Sequence, residues 1–178
     1  MSLAGLLTIL DDDPQLHDVI SRAESDTKPE APALAGEDLV APPTLRPVLT
    51  AALTRRADGA RRFVLAVTAT AREAEDLTTA LGSFLPPGSV ACFPGWETLP
   101  HERLSPNPDT VGRRIAVLRR LAHPGDAGQP DGPLTVVAAP VRSLLQPIVA
   151  GLGDLAPVSL HEGDTFELDD LLARLVEI

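Results

Sequence analysis

The side chains that most often carry metal or nucleophilic chemistry are few in this sequence and lie far apart. The four histidines are His17, His101, His123 and His161, and none has a cysteine or a second histidine at the spacing of metal ligands. Cys92 is the only cysteine, and no basic residue stands near it in the sequence to hold it as a thiolate. We therefore expect neither a metal site nor a cysteine nucleophile.

Two further polar features suit structural roles better than catalytic ones. Ser143 follows an apolar strand candidate but lacks the GxSxG pattern of a nucleophile elbow, so we expect it near the start of a helix. The acidic run of residues 11–13 suggests Mg²⁺ by composition alone. We favour a solvated helix start with Asp13 as its N-cap, because Pro14 follows at the first helical position.

A phosphate-binding loop is the other chemistry to test, and its pattern is missing. Such a loop, GxxxxGK[ST], joins the first strand to the next helix and holds phosphates with backbone N–H groups and a lysine. The corresponding junction, LVAPPTLRPV (residues 39–48), has no glycine, and its prolines supply no N–H donors. The only lysine is Lys28. We therefore expect a degenerate phosphate loop at Pro42, Pro43 and Thr44, no bound cofactor and no ATP hydrolysis.

The most unusual segment is FPGWETLPHERLSPNPDT (residues 93–110), which holds the only tryptophan and four prolines. It follows a buried strand candidate, so it emerges at the carboxyl edge of the sheet, where α/β proteins place ligand and partner surfaces. Either its apolar residues cap the core, or its prolines pre-order a contact surface. The candidate contact residues are Trp96, Glu97, Thr98, Leu99, Pro100, His101, Glu102, Arg103 and Ser105.

Two arginines of the following helix, Arg113 and Arg120, lie seven residues apart and share a helix face. Three interpretations stay open for this pair. The side chains form a solvated outer face with their stems packed on the sheet, they contact acidic groups of the protein, or they meet a DNA backbone.

These segments belong to an alternation of strand and helix candidates. The strand candidates are residues 38–41, 62–67, 89–93 and 134–139, and the helix candidates are residues 44–56, 70–84, 110–122 and 141–149. The helix at 110–122 is expected to turn Val111, Ile115, Leu118 and Leu121 inward. The strand candidates are apolar throughout, which predicts an α/β fold with a parallel sheet covered by helices on both faces.

The two ends of the chain differ from this pattern. Residues 3–10 and the stretch from Pro14 predict short helices, and residues 25–36 predict an exposed linker. After Gly151, residues 157–162 predict a strand and residues 166–176 a helix, and the chain stops within that helical run. We predict N-terminal helices and a linker over 1–36, an α/β domain over 37–153, and the start of a truncated second module over 154–178.

Composition narrows the functional class. The chain has 178 residues and a formal net charge of −10, which argues against broad nonspecific binding to nucleic acid. One cysteine suits a reducing compartment, and no apolar stretch is long enough to cross a membrane. We expect a cytoplasmic protein with no membrane partner.

Three segments together resemble one protein family. FPGWETLPHERLSPNPDTVGRRIAVLRRL (residues 93–121) closely resembles the Trp-Glu-Thr-Leu-Pro segment and following helix of bacterial transcription-repair coupling factors. RFVLAVTATAREAEDLTTAL (residues 62–81) resembles the preceding strand and helix of that family, and LTVVAAPVRSLLQPI (residues 134–148) resembles the strand and helix that follow. The resemblance extends from about Leu39 to Ile178 and is loose over residues 1–36.

The resemblance implies a non-catalytic scaffold within a larger machine. Full-length coupling factors use ATP and Mg²⁺ to move on double-stranded DNA, displace stalled RNA polymerase and recruit nucleotide excision repair. Their amino-terminal region is similar to the damage-verification helicase of excision repair, which implies a degenerate P-loop, RecA-like domain. The motor domains, which lie outside this chain, are the implied intramolecular partner. The second module contacts the damage-recognition ATPase, mainly through residues past Ile178.

This chain departs from the excision-repair helicase in two ways, which limit the helicase properties that the resemblance implies for it. That helicase has a working phosphate loop, and it has an aromatic hairpin after the equivalent of Ser105. Here Pro106 to Asp109 lead directly into a helix, so there is no room for the hairpin. Two alternatives remain for this chain: a nucleotide-dependent enzyme with an atypical phosphate site, and a stand-alone protein-interaction module.

Overall fold

The computed structural model describes residues 3–9, 13–25, 38–55, 62–98, 105–125, 132–155, 158, 160 and 162–177. The helices within these ranges are α1 (Leu6–Ile9), α2 (Pro14–Ser25), α3 (Arg46–Leu53), α4 (Ala71–Leu81), α5 (Pro108–Ala122), α6 (Val141–Leu145) and α7 (Leu168–Glu177). The strands are β1 (Val64–Thr68), β2 (Val90–Cys92) and β3 (Val136–Pro140). Two 3₁₀ turns lie at Pro43–Leu45 and Leu152–Asp154.

The three strands form one parallel sheet in the order β1-β3-β2. The central strand is β3, in which Val136 pairs with Val64 of β1 on one side and with Val90 of β2 on the other. Every residue of β3 is buried. The predicted α/β class is confirmed, and the three apolar runs that form the sheet are those the sequence indicates.

Helices cover the sheet on both faces, as predicted. On one face, α1, α3 and α4 enclose a core that includes Ala51, Leu81 and Val136. On the other face, α5 packs Val117 against Val137 of β3. Successive strand residues point to opposite faces, so Val136 and Val137 belong to different cores. Each buried aliphatic side chain of this size contributes about 1.5–3 kcal/mol.

Side-chain caps fix where the helices begin. Thr70 accepts a hydrogen bond from the Glu73 backbone N–H, and the Glu73 carboxylate accepts one from the Thr70 N–H, which together make a capping box at α4. Asn107 caps α5 by accepting from the Asp109 N–H at 2.9 Å. Asp13 caps α2 in the same way, as the sequence predicts. Caps of this kind contribute about 1 kcal/mol each.

The strand predicted at residues 38–41 is wrong, because residues 38–42 are irregular. Val40 is fully exposed and meets no neighbouring strand. Pro42 and Pro43 follow at once and have no N–H to donate to a ladder. The predicted helix at 44–56 begins instead with a 3₁₀ turn and continues as α3, with Pro47 in its first turn.

One strand departs from the expectation of burial on both faces. In β1 the residues alternate between half-buried and exposed. Leu65 and Val67 are 48% and 52% exposed, and Phe63, just before the strand, is 46% exposed. Described helices cover only the opposite face of β1, because α5 packs on the β2–β3 side of the sheet. An apolar run thus predicts a strand in a parallel sheet without showing whether both of its faces are covered.

The helix predicted at residues 141–149 is shorter than expected. α6 ends at Leu145, and Gln146 has φ −81° and ψ 135°, which is extended backbone. The residue before a proline is driven out of the helical region by the proline ring. Pro147 therefore ends the helix.

The inward face of α5 is rotated from the prediction by about one residue. The fully buried positions are Thr110, Arg114 and Val117. Of the predicted inward residues, Val111, Ile115 and Leu118 are half-buried, and Leu121 is 41% exposed. The prediction failed because it assigned a charged residue to the outer face, whereas the structure buries Arg114.

The carboxyl-terminal part joins the fold through the 3₁₀ turn at Leu152–Asp154, which packs on α5. A Cβ on Gly153 would lie 2.9 Å from the backbone oxygen of Leu118, so only glycine fits there. The predicted helix near the chain end is present as α7. A strand was predicted at 157–162, but residues 158, 160 and 162 pair with no described strand. Residues 157, 159 and 161 lie outside the described residues. Residues 26–36 of the predicted linker also lie outside them.

No helix in the described part of the chain is long and apolar enough to cross a membrane.

Candidate functional site

The residues predicted to form a degenerate phosphate loop, Pro42, Pro43 and Thr44, lie just before α3, beside the first turn of α4. Arg46 Nη1 is 3.8 Å from Oε1 of Glu73 in α4. Because α4 follows β1 closely, this contact places the start of α3 at the carboxyl edge of the sheet. Parallel α/β proteins hold ligands at that edge. The location therefore suits a phosphate group, and the donors present decide whether one is bound.

Backbone donors at this position are almost all absent or engaged. Pro42 and Pro43 have no N–H. The Leu45 N–H donates to the Pro42 oxygen at 2.9 Å, and the Arg46 N–H donates to the Pro43 oxygen. Thr44 is left as the one residue of 42–46 whose N–H has no acceptor among the described residues. A phosphate cradle needs several converging N–H groups, so one donor is a poor site.

The neighbouring turn offers no substitute, because a carboxylate already occupies its donors. The backbone N–H groups of Ala69 and Thr70 both donate to Oε2 of Glu73 at 3.1 Å. Arg46 lies beside the same carboxylate. A phosphate entering here meets a negative charge that is hydrogen-bonded in place.

The loop of residues 93–98 encloses a buried cation, in contrast to the exposed carboxylate beside the first turn. Arg114 of α5 is 1% exposed. Its guanidinium lies 4.2 Å from the ring centroid of Phe93 and 4.3 Å from that of Trp96, at cation–π distance from both. Its Nη1 donates to the backbone oxygen of Pro94 at 2.6 Å. Burial lowers the pKa of Arg114, but a guanidinium stays protonated at neutral pH.

A glutamine after α6 fixes the other side of the same loop. The Trp96 N–H donates to Oε1 of Gln146 at 2.7 Å, and Nε2 of Gln146 donates to the Trp96 oxygen at 3.3 Å. The two bonds join the loop after β2 to the segment after β3.

A third contact ties the loop to the first turn of α5. The Thr110 hydroxyl donates to the Glu97 carboxylate. This hydrogen bond lowers the pKa of Glu97 below its ordinary value. The carboxylate form of Glu97 is therefore the one that holds the loop to α5.

The other predicted contact residues are only partly placed. Thr98 is half-buried and Ser105 is exposed. Leu99, Pro100, His101, Glu102 and Arg103 lie outside the described residues.

The two arginines predicted to share a face serve separate internal contacts. Arg113 Nη1 lies 3.9 Å from Glu75 of α4 and 3.9 Å from Asp109. Arg120 donates to the backbone oxygens of Gly132, at 2.8 Å from Nη2, and of Gly88. Their positive charge is thus directed at the protein's own acids and carbonyls.

The remaining candidate nucleophiles have structural surroundings. The Ser143 hydroxyl is buried and donates to the Pro140 oxygen at 2.8 Å, which is the helix-start role expected from the sequence. Burial raises the pKa of the Cys92 thiol and keeps it protonated. His123 Nε2 lies 2.8 Å from Oδ1 of Asp154 on the exposed surface. Among the described residues, no group of three or more acidic, histidine or cysteine side chains is placed to hold a metal ion.

Sequence reasoning missed the three residues that anchor the loop, Thr110, Arg114 and Gln146. Arg114 stands four residues after Thr110 and three before Val117, so helical spacing places all three on one buried face. That spacing was the available signal. Gln146 bonds to a residue 50 positions away and gave no local signal.

The loop also forms one wall of an apolar groove of about 520 Å³. The opposite wall comes from α6 and the residues that follow it. The lining includes Trp96, Pro106, Val141, Leu145 and Pro147. An open groove with this lining suits contact with another protein surface better than chemistry on a small molecule.

Sequence comparison identifies relatives over most of the chain. The chain is 50% identical over 140 residues to the transcription-repair-coupling factor of Mycobacterium bovis, and equally to that of Mycobacterium tuberculosis. The match takes in 79% of this chain and 11% of each relative, so the chain spans about a tenth of the length of the proteins it matches. No family model matches the chain. The family resemblance predicted from the Trp96 segment is confirmed.

Proposed function

We propose that this chain, as a relative of the transcription-repair-coupling factors, acts as a non-catalytic scaffold region of such a factor in DNA repair. In this proposal ATP hydrolysis and movement along double-stranded DNA belong to motor domains outside the chain. Contacts with RNA polymerase and with the damage-recognition ATPase belong to other modules. The chain contributes a rigid α/β body on which those parts are arranged.

The observation that carries the proposal is the lack of free donors at the start of α3. A phosphate there would find one uncommitted backbone N–H, that of Thr44, and the fixed carboxylate of Glu73. Nucleotide phosphates carry several negative charges and need converging donors and cations. The site therefore disfavours ATP on both electrostatic and hydrogen-bonding grounds.

The surface supports a scaffold role because apolar faces remain open for packing. The outer face of β1 exposes Leu65 and Val67, and α7 exposes Leu172 and Leu175 to at least half of their area. Exposed apolar side chains in contiguous sets mark surfaces for protein contact. A basic surface, which DNA binding needs, is not supported, because Arg113 and Arg120 engage acids and carbonyls of the protein itself.

Calorimetric titration of the purified chain with Mg-ATP tests the catalytic half of the proposal. We expect no binding tighter than millimolar and no phosphate release, with or without duplex DNA. Binding in the micromolar range overturns the proposal and favours a nucleotide-dependent enzyme with an atypical phosphate site.

A second experiment tests the scaffold half in a longer relative. Deletion of the matched region from the Mycobacterium tuberculosis factor is expected to leave ATP hydrolysis within about threefold of the intact protein, while changing how the remaining parts associate. Loss of hydrolysis by a deletion protein that stays folded, as judged by circular dichroism, contradicts a non-catalytic role for the region.

A further inference from the structure

The 3₁₀ turn at Leu152–Asp154 brings the chain back onto α5, and two glycines make this possible. Gly151 has φ 81°, in the left-handed region that residues with a side chain rarely adopt. At Gly153 a Cβ would lie 2.9 Å from the backbone oxygen of Leu118 and 3.2 Å from Cβ of Ala122. One glycine thus gives the turn its direction, and the other lets its backbone touch the helix.

Two side chains near the end of α5 reach the same segment. Nη1 of Arg119 donates to the backbone oxygen of Leu155 at 3.1 Å. Nε2 of His123, the residue that follows α5, lies 2.8 Å from Oδ1 of Asp154. The His123–Asp154 pair is exposed to solvent, and exposed pairs of this kind contribute little to stability. We therefore expect the close backbone packing at Gly153 to matter more than these two contacts.

The side of α5 that holds the turn differs from the side that is buried in the fold. The fully buried residues of α5 are Thr110, Arg114 and Val117. At about 100° per residue, Arg119 and Ala122 lie on another side of the helix. Among the described helices and strands, the turn packs extensively against α5 alone. A contact that involves one helix and no strand can open locally without exposing the core of the sheet.

We propose that residues 151–155 form a latch that closes on α5 and opens as a unit while the sheet stays folded. In the closed latch, Leu155 is the point at which the chain leaves α5, because its backbone oxygen is bonded to Arg119. Opening releases the residues that follow from the α/β domain. In a longer protein the latch therefore sets the position of the next module, a consequence that rests on the proposed scaffold function. The latch itself depends only on contacts within this chain.

The ¹⁵N relaxation of the labelled chain tests the latch through the order parameters of residues 152–155. In the wild type we expect values of about 0.85, which are typical of rigid backbone. Gly153→Ala should lower them below about 0.6, because the added methyl group overlaps the backbone oxygen of Leu118. The order parameters of residues 136–139 in β3 should stay unchanged.

Gly112→Ala is the matched control. It makes the same change on α5 itself, where a Cβ would meet nothing within 4 Å, so residues 152–155 should stay rigid. A double variant, Arg119→Met with Asp154→Ala, removes the two side-chain contacts without adding bulk. It should give order parameters between those of the wild type and those of Gly153→Ala.

Three results overturn the proposal. The first is a turn that stays rigid both in Gly153→Ala and in the double variant. The second is a loss of order in β3 together with the turn, or a Gly153→Ala variant that fails to fold, because either shows that the turn does not open separately from the sheet. The third is an equal loosening by Gly112→Ala. None of these results concerns ATP binding, so the latch can fail while the proposed function stands.

Discussion

Two turns at the carboxyl edge of the sheet differ in the polar contacts that they make. The turn at residues 42–46 is exposed, rich in proline and nearly empty of free donors. The turn at residues 93–98 is held by a buried guanidinium and a threonine from α5 and by a glutamine that follows α6. The sequence predicted that the first of these turns occupies the position where many parallel α/β proteins bind phosphate, but no described strand leads into it. Here the ordered polar contacts lie at the second.

The backbone donors of residues 42–46 are few and mostly engaged, whereas polar side chains hold the loop of residues 93–98 in place. Arg114 is buried among Phe93 and Trp96, where a cation requires stacking and a hydrogen bond to offset its desolvation. Its bonds go to the chain itself and leave the guanidinium unavailable to a phosphate. The polar groups of this edge therefore set the shape of a loop.

The largest effect is expected from Arg114→Met, which removes the anchor of the 93–98 loop. The variant loses a charge-assisted hydrogen bond and two cation–π contacts, partly offset by the removed desolvation of the charge, for a net loss of about 2–3 kcal/mol in unfolding free energy. Urea unfolding, monitored by Trp96 fluorescence, measures this loss of unfolding free energy. Arg113→Met, one residue away and half-exposed, is the control and should cost less than about 1 kcal/mol. Equal losses contradict the anchoring role.

Gln146→Ala is expected to have the next largest effect. It leaves the Trp96 N–H without its acceptor at 2.7 Å, which costs about 1 kcal/mol. Gln146→Glu keeps the acceptor for the Trp96 N–H but places a carboxylate oxygen against the Trp96 carbonyl oxygen that Nε2 now bonds, so it should recover only part of the loss. If both substitutions are neutral in thermal unfolding, the two sides of the loop are not coupled through this residue.

A smaller and pH-dependent effect is expected from Thr110→Val, which removes the hydroxyl that donates to Glu97. Because this bond lowers the pKa of Glu97 in the folded state, its contribution is present above the unfolded-state pKa and is lost as pH falls through the lower folded-state value. The unfolding free energy of the wild type should exceed that of Thr110→Val by less than about 1 kcal/mol at pH 7. This difference should disappear in acid. A difference that persists at low pH argues against an ionised Glu97.

The smallest effect is expected in the other turn. Pro43 is exposed and stands at the first position of the 3₁₀ turn, so Pro43→Ala should change the unfolding free energy by no more than about 0.5 kcal/mol. Thermal unfolding of Pro43→Ala, compared with that of Arg114→Met, measures this change. A loss above about 1 kcal/mol shows that the turn contributes more to the fold than its contacts indicate.

Local patterns predicted most of the sheet and helices. The apolar runs that became β1, β2 and β3 and the Asp13 cap of α2 depend on neighbours in sequence. Residues 38–41 have a similar local pattern but pair with none of the described strands, and pairing is a tertiary property. The exposed face of β1 was not predicted either, because the covering of a strand face is also a tertiary property.

The 93–98 loop was located from sequence, but its supports were not. Arginine is usually assigned to a helix surface, so the burial of Arg114 shifted the inward face of α5 from its predicted position. The bond between Gln146 and Trp96 spans 50 residues and depends on how β2 and β3 lie side by side. The lack of N–H donors at Pro42 and Pro43 was easier to foresee, because proline lacks an N–H in any structure.

Amide NMR of the ¹⁵N-labelled chain during a Mg-ATP titration reports separately on each backbone N–H of residues 44–46. We expect the signals of Thr44, Leu45 and Arg46 to keep their positions up to millimolar nucleotide, since one free N–H cannot cradle a phosphate. Saturable shifts confined to those three amides at micromolar nucleotide would contradict it.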